Sequence, residues 1–425
     1  MSRNQQHALS IEQASSTRID PRIFLLALGM FALGTDAYVV SGVLPVIAKE
    51  TGVTEGLAGQ LVTVFSLTYG LGAPVLAALT GRWSPNRVLI WALGLFCLVN
   101  VGSALAPTFP LLMLTRVVAG CFAATYAPLA YTIGISLAPP KKRGQALALV
   151  VIGLTVATAL GAPLGTWVGE QFGWHMSFVL VAVLAGIAFL MLVICGLPKV
   201  AAPSALSLKA RLAPITHLPI VVALLPSLLW NLGAYTVYTY IALLLQQNLH
   251  ITEISGLLVA FGLGVVIGNW SGGRLADHFG PHRLLLSGLV ALLIVEAVIT
   301  LASTSIIGAL VILFLFGLSV SIVFIPQQHR LLGMAPEHAN VILALNNSMF
   351  YLGIAGGAAL GGLALRTIVI TQLNVIGTSC VFVALLVFVL SLFLSAHTTK
   401  VSAQSENREN REQSEQKEPL LIMPE

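Results

Sequence analysis

Charge is what this sequence has least of. Asp, Glu, Lys and Arg together make up 9% of its 425 residues, against about a quarter in an average soluble domain. So few charges could not cover a soluble chain that is 57% hydrophobic, and the expected solvent is a bilayer. Cysteine is scarce too: Cys97, Cys121, Cys195 and Cys380 all fall inside apolar runs. That excludes a disulfide framework and a cysteine metal site, and leaves the four as small apolar side chains. The apolar runs are continuous rather than alternating, which excludes a closed β-barrel. There is no basic helix with interleaved aromatics and no basic tail, so the net charge of +5 does not point to nucleic acid. Phosphate-binding loops, zinc spacings and serine–histidine constellations are missing as well. No enzyme, no cofactor and no metal is expected.

What is present is apolar length. Twelve segments are long enough to span a bilayer as helices, which takes about 20 residues each: 23–47, 57–80, 88–106, 108–135, 145–168, 174–196, 218–246, 254–276, 283–302, 305–329, 339–364 and 371–396. The fold class is therefore all-α integral membrane. Residues 1–20 lack the apolar core of a cleaved signal peptide, so the first span serves as the insertion signal.

The basic residues orient the spans. With the N-terminus cytoplasmic, Lys49 and Arg366 lie on the outer face and Arg116 lies inside span 4. The other eighteen of the 21 Lys and Arg lie on the cytoplasmic side. This positive-inside pattern puts both termini in the cytoplasm.

The chain also repeats itself. "AALTGRWSPNRVLI" at 77–90, between spans 2 and 3, answers "GRLADHFGPHRLLL" at 273–286, between spans 8 and 9. Gly153 and Gly161 in span 5 answer Gly353 and Gly361 in span 11. "SLAPPKKR" after span 4 answers "GMAPEHAN" after span 10. The expected units are a cytoplasmic segment 1–21, a six-helix bundle 22–196, a linker 197–217, a second bundle 218–396 and a disordered tail 397–425. Repeats of this kind mark secondary transporters, with sites near the midplane between the halves.

Four motifs carry a family resemblance. They are "GTDAYVVSGVLP" in span 1, "LTRVVAG" at 114–120 in span 4, "GLTVATALGAPLG" at 153–165 in span 5, and "GRLADHFG" with Gly273, Asp277 and Gly280. Together they resemble the major facilitator superfamily, and within it the twelve-span drug:proton antiporters that include bacterial sugar, arabinose-type, purine and drug exporters. The resemblance implies two six-helix bundles around a central cavity walled by spans 1, 4, 5, 7, 8, 10 and 11, in a bacterial inner membrane. It implies a small-molecule substrate, protons as the coupling ion, and a monomer. In the family the loop acid helps lock one conformation. The first copy departs from the pattern, with Gly81 where the acid belongs and Ser84 where glycine belongs.

Asp36 lies roughly 20 Å along span 1 from its cytoplasmic end at 1.5 Å per residue, near the midplane. An ionised carboxylate there costs about 2.5–3.5 kcal/mol on insertion scales. A group that is neutral when occluded and charged when wet suits a proton carrier, and substrate and proton would then compete for it. The alternative is a structural acid bonded between helices. Arg116 lies within roughly 4–5 Å of the same depth and is its expected partner, although an arginine can also snorkel outward or bond backbone carbonyls. Glu296 in span 9 reads as structural, with a second proton site as the alternative. Asn231, Tyr235 and Tyr238 share one helical face of span 7, while Tyr240 points elsewhere. With Tyr38, Asn346 and Phe350 they are the expected substrate contacts. Asn347, Gln327 and Gln328 are weaker candidates. Gly153, Gly161, Pro163 and Gly165 in span 5, with Gly353 and Gly361 in span 11, suggest a sliding seam between the halves, close packing without motion being the alternative. The function expected is proton-coupled export of small organic molecules such as drugs, sugars or nucleosides. An importer, an uncoupled facilitator and a non-transporting membrane sensor remain as alternatives.

Overall fold

The computed structural model describes residues 19–198, 208–209, 213–216, 218–334 and 339–416. Most of the 197–217 linker and the segment before Ile19 lie outside them. The described residues contain helices and no strand. Twelve helices are long and apolar enough to cross a membrane: α1 Arg22–Thr51, α2 Glu55–Thr80, α3 Pro85–Ala104, α4 Phe109–Ser136, α5 Pro140–Phe172, α6 Trp174–Cys195, α7 Leu218–Tyr238, α8 Ser255–Phe279, α9 Pro281–Ala302, α10 Ile306–Met334, α11 Val341–Ala364 and α12 Ile370–Leu394. Within hydrocarbon, a helix satisfies its backbone groups internally, so each apolar run closes into one. Proline at the first turn starts α3 and α9, where its missing N–H is no loss. Gly280, at φ 85° and ψ 147°, joins α8 to α9 in a conformation open essentially to glycine.

Helix α2 breaks at Gly59, near its start, and three further helices are interrupted. In α5 a π-helical stretch, Ala157–Gly161, joins Arg143–Val156 to Ala162–Phe172. The Ala162 N–H there donates to the Ala157 carbonyl, five residues back. In α7 the helix stops at Tyr238 and resumes at Ile241–Leu249. The Tyr240 hydroxyl donates to the Ala358 carbonyl of α11 at 2.8 Å. In α10 the regular helix ends at Ile322 and restarts at Phe324, four residues from a proline, Pro326, that cannot donate to the Ile322 carbonyl. The backbone of the last helix stays helical to Gln416.

Gly153, Gly161 and Gly165 of α5 and Gly353 and Gly361 of α11 do not meet the opposite half. A Cβ at Gly153 would meet the Ala27 carbonyl, one at Gly161 would meet Thr35 and Phe31, and one at Gly165 would meet Val39, all of α1. A Cβ at Gly353 would meet the Leu228 carbonyl and Asn231, and one at Gly361 would meet Tyr240 and the Thr236 carbonyl, on α7 and the turn that follows it. The expected sliding seam is thus a pair of tight contacts within each bundle. A small residue in a sequence reports a close approach without naming the neighbour.

The bundles meet along two other lines. On one, Tyr69 of α2 stacks on Tyr351 of α11 with ring centroids 3.7 Å apart, and Gly56 lies against the Gly362 carbonyl. On the other, Gly262 of α8 lies against Thr158 and Ala159 in the π-helical stretch of α5. Beyond it the Gln171 amide donates to Glu253 at 2.9 Å and the Ile254 N–H donates to Glu170 at 2.7 Å. These polar contacts close the end remote from the termini. Toward the other end the cover thins: α2 has no buried residue from Leu71 to Thr80.

Leucine at Gly262 should wedge α8 off α5 and block the transport cycle while leaving membrane insertion intact. Gly161→Leu should instead overpack one bundle, at a cost of about 1–3 kcal/mol, and lower the melting temperature. Substrate counterflow and thermal unfolding of the two purified variants separate these outcomes.

Candidate functional site

Asp36 and Arg116 meet. Arg116 Nη1 donates to Asp36 Oδ1 at 2.6 Å, and the two residues are each 1% exposed. Arg116 Nη2 donates to Asn100 Oδ1 at 3.0 Å and Ser103 Oγ at 2.7 Å on α3. The guanidinium lies 4.5 Å from the centroid of the Phe178 ring on α6. Asn100 and Ser103 are fixed in turn by their own helix, through the Phe96 and Val99 carbonyls. Four helices therefore hold one guanidinium in place. Burying two ions costs several kcal/mol each unless every lone pair and proton is satisfied. Here the satisfaction is incomplete, since Asp36 Oδ2 and Arg116 Nε have no hydrogen-bond partner among the described residues.

Tyr38 stands two residues after Asp36, on the opposite side of α1. Its ring lies 6.5 Å from Tyr235 and 6.1 Å from Tyr238 across the junction of the bundles. Tyr238 continues into Phe261 and Phe316. Phe350 packs on Phe324 and Tyr351, which extends the aromatic lining to the Tyr69–Tyr351 stack. The lining thus draws on both bundles.

Asn231 and Asn346 lie elsewhere. Asn231 is fully buried at the contact with Gly353 and donates to the Ser227 carbonyl. Asn346 accepts from the Ser227 hydroxyl at 2.6 Å, and Gln327 donates to that hydroxyl and to the Ala223 carbonyl. All three amides are fully buried between α7, α10 and α11. They form an uncharged network that ties the three helices together. Arg330 adjoins it, buried over the Phe388 ring and bonded to Ser391. Glu296 is wholly buried beside Gly377 of α12, and neither carboxyl oxygen has a hydrogen-bond partner among the described residues. Asp277 is exposed and comes within 4.0 Å of His329, while a Cβ at Gly273 would only touch Ile325 at ordinary van der Waals distance.

Sequence reasoning missed Asn100, Ser103 and Phe178. Asn100 and Ser103 stand at i and i+3 in an otherwise apolar run, and that spacing was the available signal. Tyr69 and Tyr351 were missed too, because a tyrosine in a span carries no mark of the helix it will face.

A profile of the Major Facilitator Superfamily matches residues 26–358. The chain belongs to the major facilitator superfamily. It is a transporter of small molecules, a multi-pass membrane protein and not an enzyme. It is 33% identical over 347 residues to the inner membrane transport protein YdhP of Escherichia coli strain K12, covering 81% of this chain and 89% of the relative. It is 32% identical over 271 residues to a chloramphenicol resistance protein of Streptomyces lividans, covering 63% and 69%. Its fold matches a crystal structure of the nucleoside transporter NupG with a TM-score of 0.67 at 14% identity, over 88% of this chain and all of the other.

The arginine clasp predicts two outcomes. Asn100→Ala and Ser103→Ala should each destabilise the protein by about 1–3 kcal/mol, because each strands a buried donor. Arg116→Lys should not preserve stability, since one ammonium cannot reproduce the planar fork that spans Asp36, Asn100 and Ser103. Thermal unfolding of the purified variants measures both.

Proposed function

We propose that the protein exports small, partly polar organic molecules in exchange for protons, and that Asp36 is the proton-binding group. The buried Asp36–Arg116 pair carries this reading. An intramembrane ion pair with unsatisfied atoms is a functional site by default, and protonation of Asp36 changes it from an ion pair to a single cation. Arg116 then keeps Asn100, Ser103 and the Phe178 face, while α1 is released from its strongest tie to α4. Tyr38 rides on the same helix. Proton and substrate therefore act on opposite faces of α1, and coupling runs through the position of that helix. This replaces the simpler expectation that the two compete for one carboxylate.

The tyrosine-rich lining suits substrates that combine ring surface with hydroxyl or amide groups, as drugs, sugars and nucleosides do. Similarity to the Streptomyces lividans chloramphenicol resistance protein supports export, and similarity to the inner membrane transport protein YdhP supports an inner-membrane location. With the arginine-rich end cytoplasmic, as the positive-inside rule requires, the termini are cytoplasmic and the conformer is closed toward the outside. It is then the state that loads substrate from the cell.

Substrate-induced proton release from purified protein tests the assignment. Wild type should release protons and Asp36→Asn should not, although it inserts normally and loses gradient-driven export. Asp36→Glu should retain part of the activity at a displaced pH optimum. Arg116→Ala should move the transport profile to more alkaline pH, because a carboxylate that loses its cation holds a proton more firmly. Equal proton release from wild type and Asp36→Asn would falsify the assignment and direct attention to Glu296.

A further inference from the structure

Outside the junction of the bundles, a groove of about 670 Å³ opens between α2, α3 and α4 at the end that bears the termini. All of its lining belongs to the N-terminal bundle. Arg87, Trp91 and Leu95 line it at i, i+4 and i+8 of α3, so they share one helical stripe. The stripe passes from a cation, through an indole, to an aliphatic side chain over roughly 12 Å of helix. Trp83 and Ser84 flank the mouth, and Phe122 of α4 lies in the wall. Arg87, Trp83 and Trp91 are exposed.

The groove lining contains no acid of its own. Residues 56–169 contain no Asp or Glu, yet they hold Arg82, Arg87, Lys141 and Arg143 at this end. The acid that the second repeat carries as Asp277 is Gly81 here. None of the ion pairs among the described residues includes Arg87. The anion for this site must come from outside residues 56–169, and the stripe says from where. A soluble anion would use Arg87 alone, whereas the indoles belong at a membrane–water interface and Leu95 and Phe122 belong at acyl-chain depth.

We propose that this groove binds an anionic phospholipid of the adjoining leaflet. The phosphate pairs with Arg87 and accepts from the Ser84 hydroxyl, the glycerol region packs between Trp83 and Trp91, and an acyl chain lies along Leu95 and Phe122. Basic residues near a membrane surface attract anionic lipid, and the groove converts that general attraction into a seat. It holds the cytoplasmic end of α2 against α3 from the lipid side, where the first repeat lacks its own acid.

The test is lipid retention by the full-length protein in detergent. Bound phosphatidylglycerol and phosphatidylcholine of matched chain length are counted by native mass spectrometry. Wild type should retain phosphatidylglycerol in preference to phosphatidylcholine. Arg87→Gln should lose that preference, with affinity for phosphatidylglycerol falling about fivefold or more. Trp91→Ala should weaken both lipids. Arg82→Gln, outside the groove lining, should leave retention unchanged. Three results would overturn the proposal. One is equal retention of phosphatidylglycerol by wild type and Arg87→Gln. Another is displacement of the lipid by millimolar inorganic phosphate, which would make this a free-anion site. The third is a several-fold gain in lipid binding when Glu406, Glu409, Glu412 and Glu415 are all changed to Gln, which would make the acidic tail the occupant.

Discussion

One guanidinium organises the N-terminal bundle. Arg116 is buried at bilayer depth, where a bare cation is not tolerated, and everything around it answers that constraint. Asp36 supplies the countercharge, Asn100 and Ser103 accept from the second terminal nitrogen, and Phe178 covers the planar face. Helices α1, α3, α4 and α6 are thereby tied at one point by polar contacts. In a bilayer, where lipid is as apolar as leucine and the hydrophobic effect does not drive helices together, such a point matters more than it would in water.

The C-terminal bundle has no ion pair at the corresponding place among the described residues, and its buried acid, Glu296, lies on α9. Leu313 of α10 stands where the repeat puts Arg116 of α4. The helices around it are joined instead by Ser227, Asn346 and Gln327. Neutral donors and acceptors keep their hydrogen bonds whatever the pH. The two halves of one repeat thus differ in how they are tied: a buried ion pair in one, and neutral hydrogen bonds beside Arg330 in the other.

Hydropathy located the spans because it measures the property the bilayer selects. It did not find the interruptions, since a π-helical turn in α5 or a break at Thr239 leaves hydropathy unchanged. Asp36 and Arg116 were legible because a charge in an apolar run has no routine explanation, and their similar depth followed from helix rise alone. Depth is one coordinate. The other, the direction a side chain faces, depends on neighbours the sequence does not name, which is why nothing in the sequence marked the contact of Asn231 with Gly353 of α11. The same ignorance misplaced the glycine seam. Gly161 and Gly361 do mark close helix contacts, but with α1 and with the end of α7 rather than across the bundles.

The π-helical turn at Ala157–Gly161 has a geometric consequence for those glycines. In a regular helix each residue turns about 100°, so Gly153 and Gly161, eight positions apart, would diverge by roughly 80°. The wider turn absorbs one residue. Counted without it, the separation is two full turns to within about 20°, and Gly153, Gly161 and Gly165 all fall on the stripe that α1 occupies. Helix α11 has no such turn, and its glycines at 353, 357 and 361 form an unbroken i+4 row against Leu228, Leu232 and Thr236 of α7. The same eight-residue glycine spacing therefore meets its partner helix through a widened turn in α5 and through a regular row in α11. The symmetry that the sequence displays is not the symmetry of the contacts.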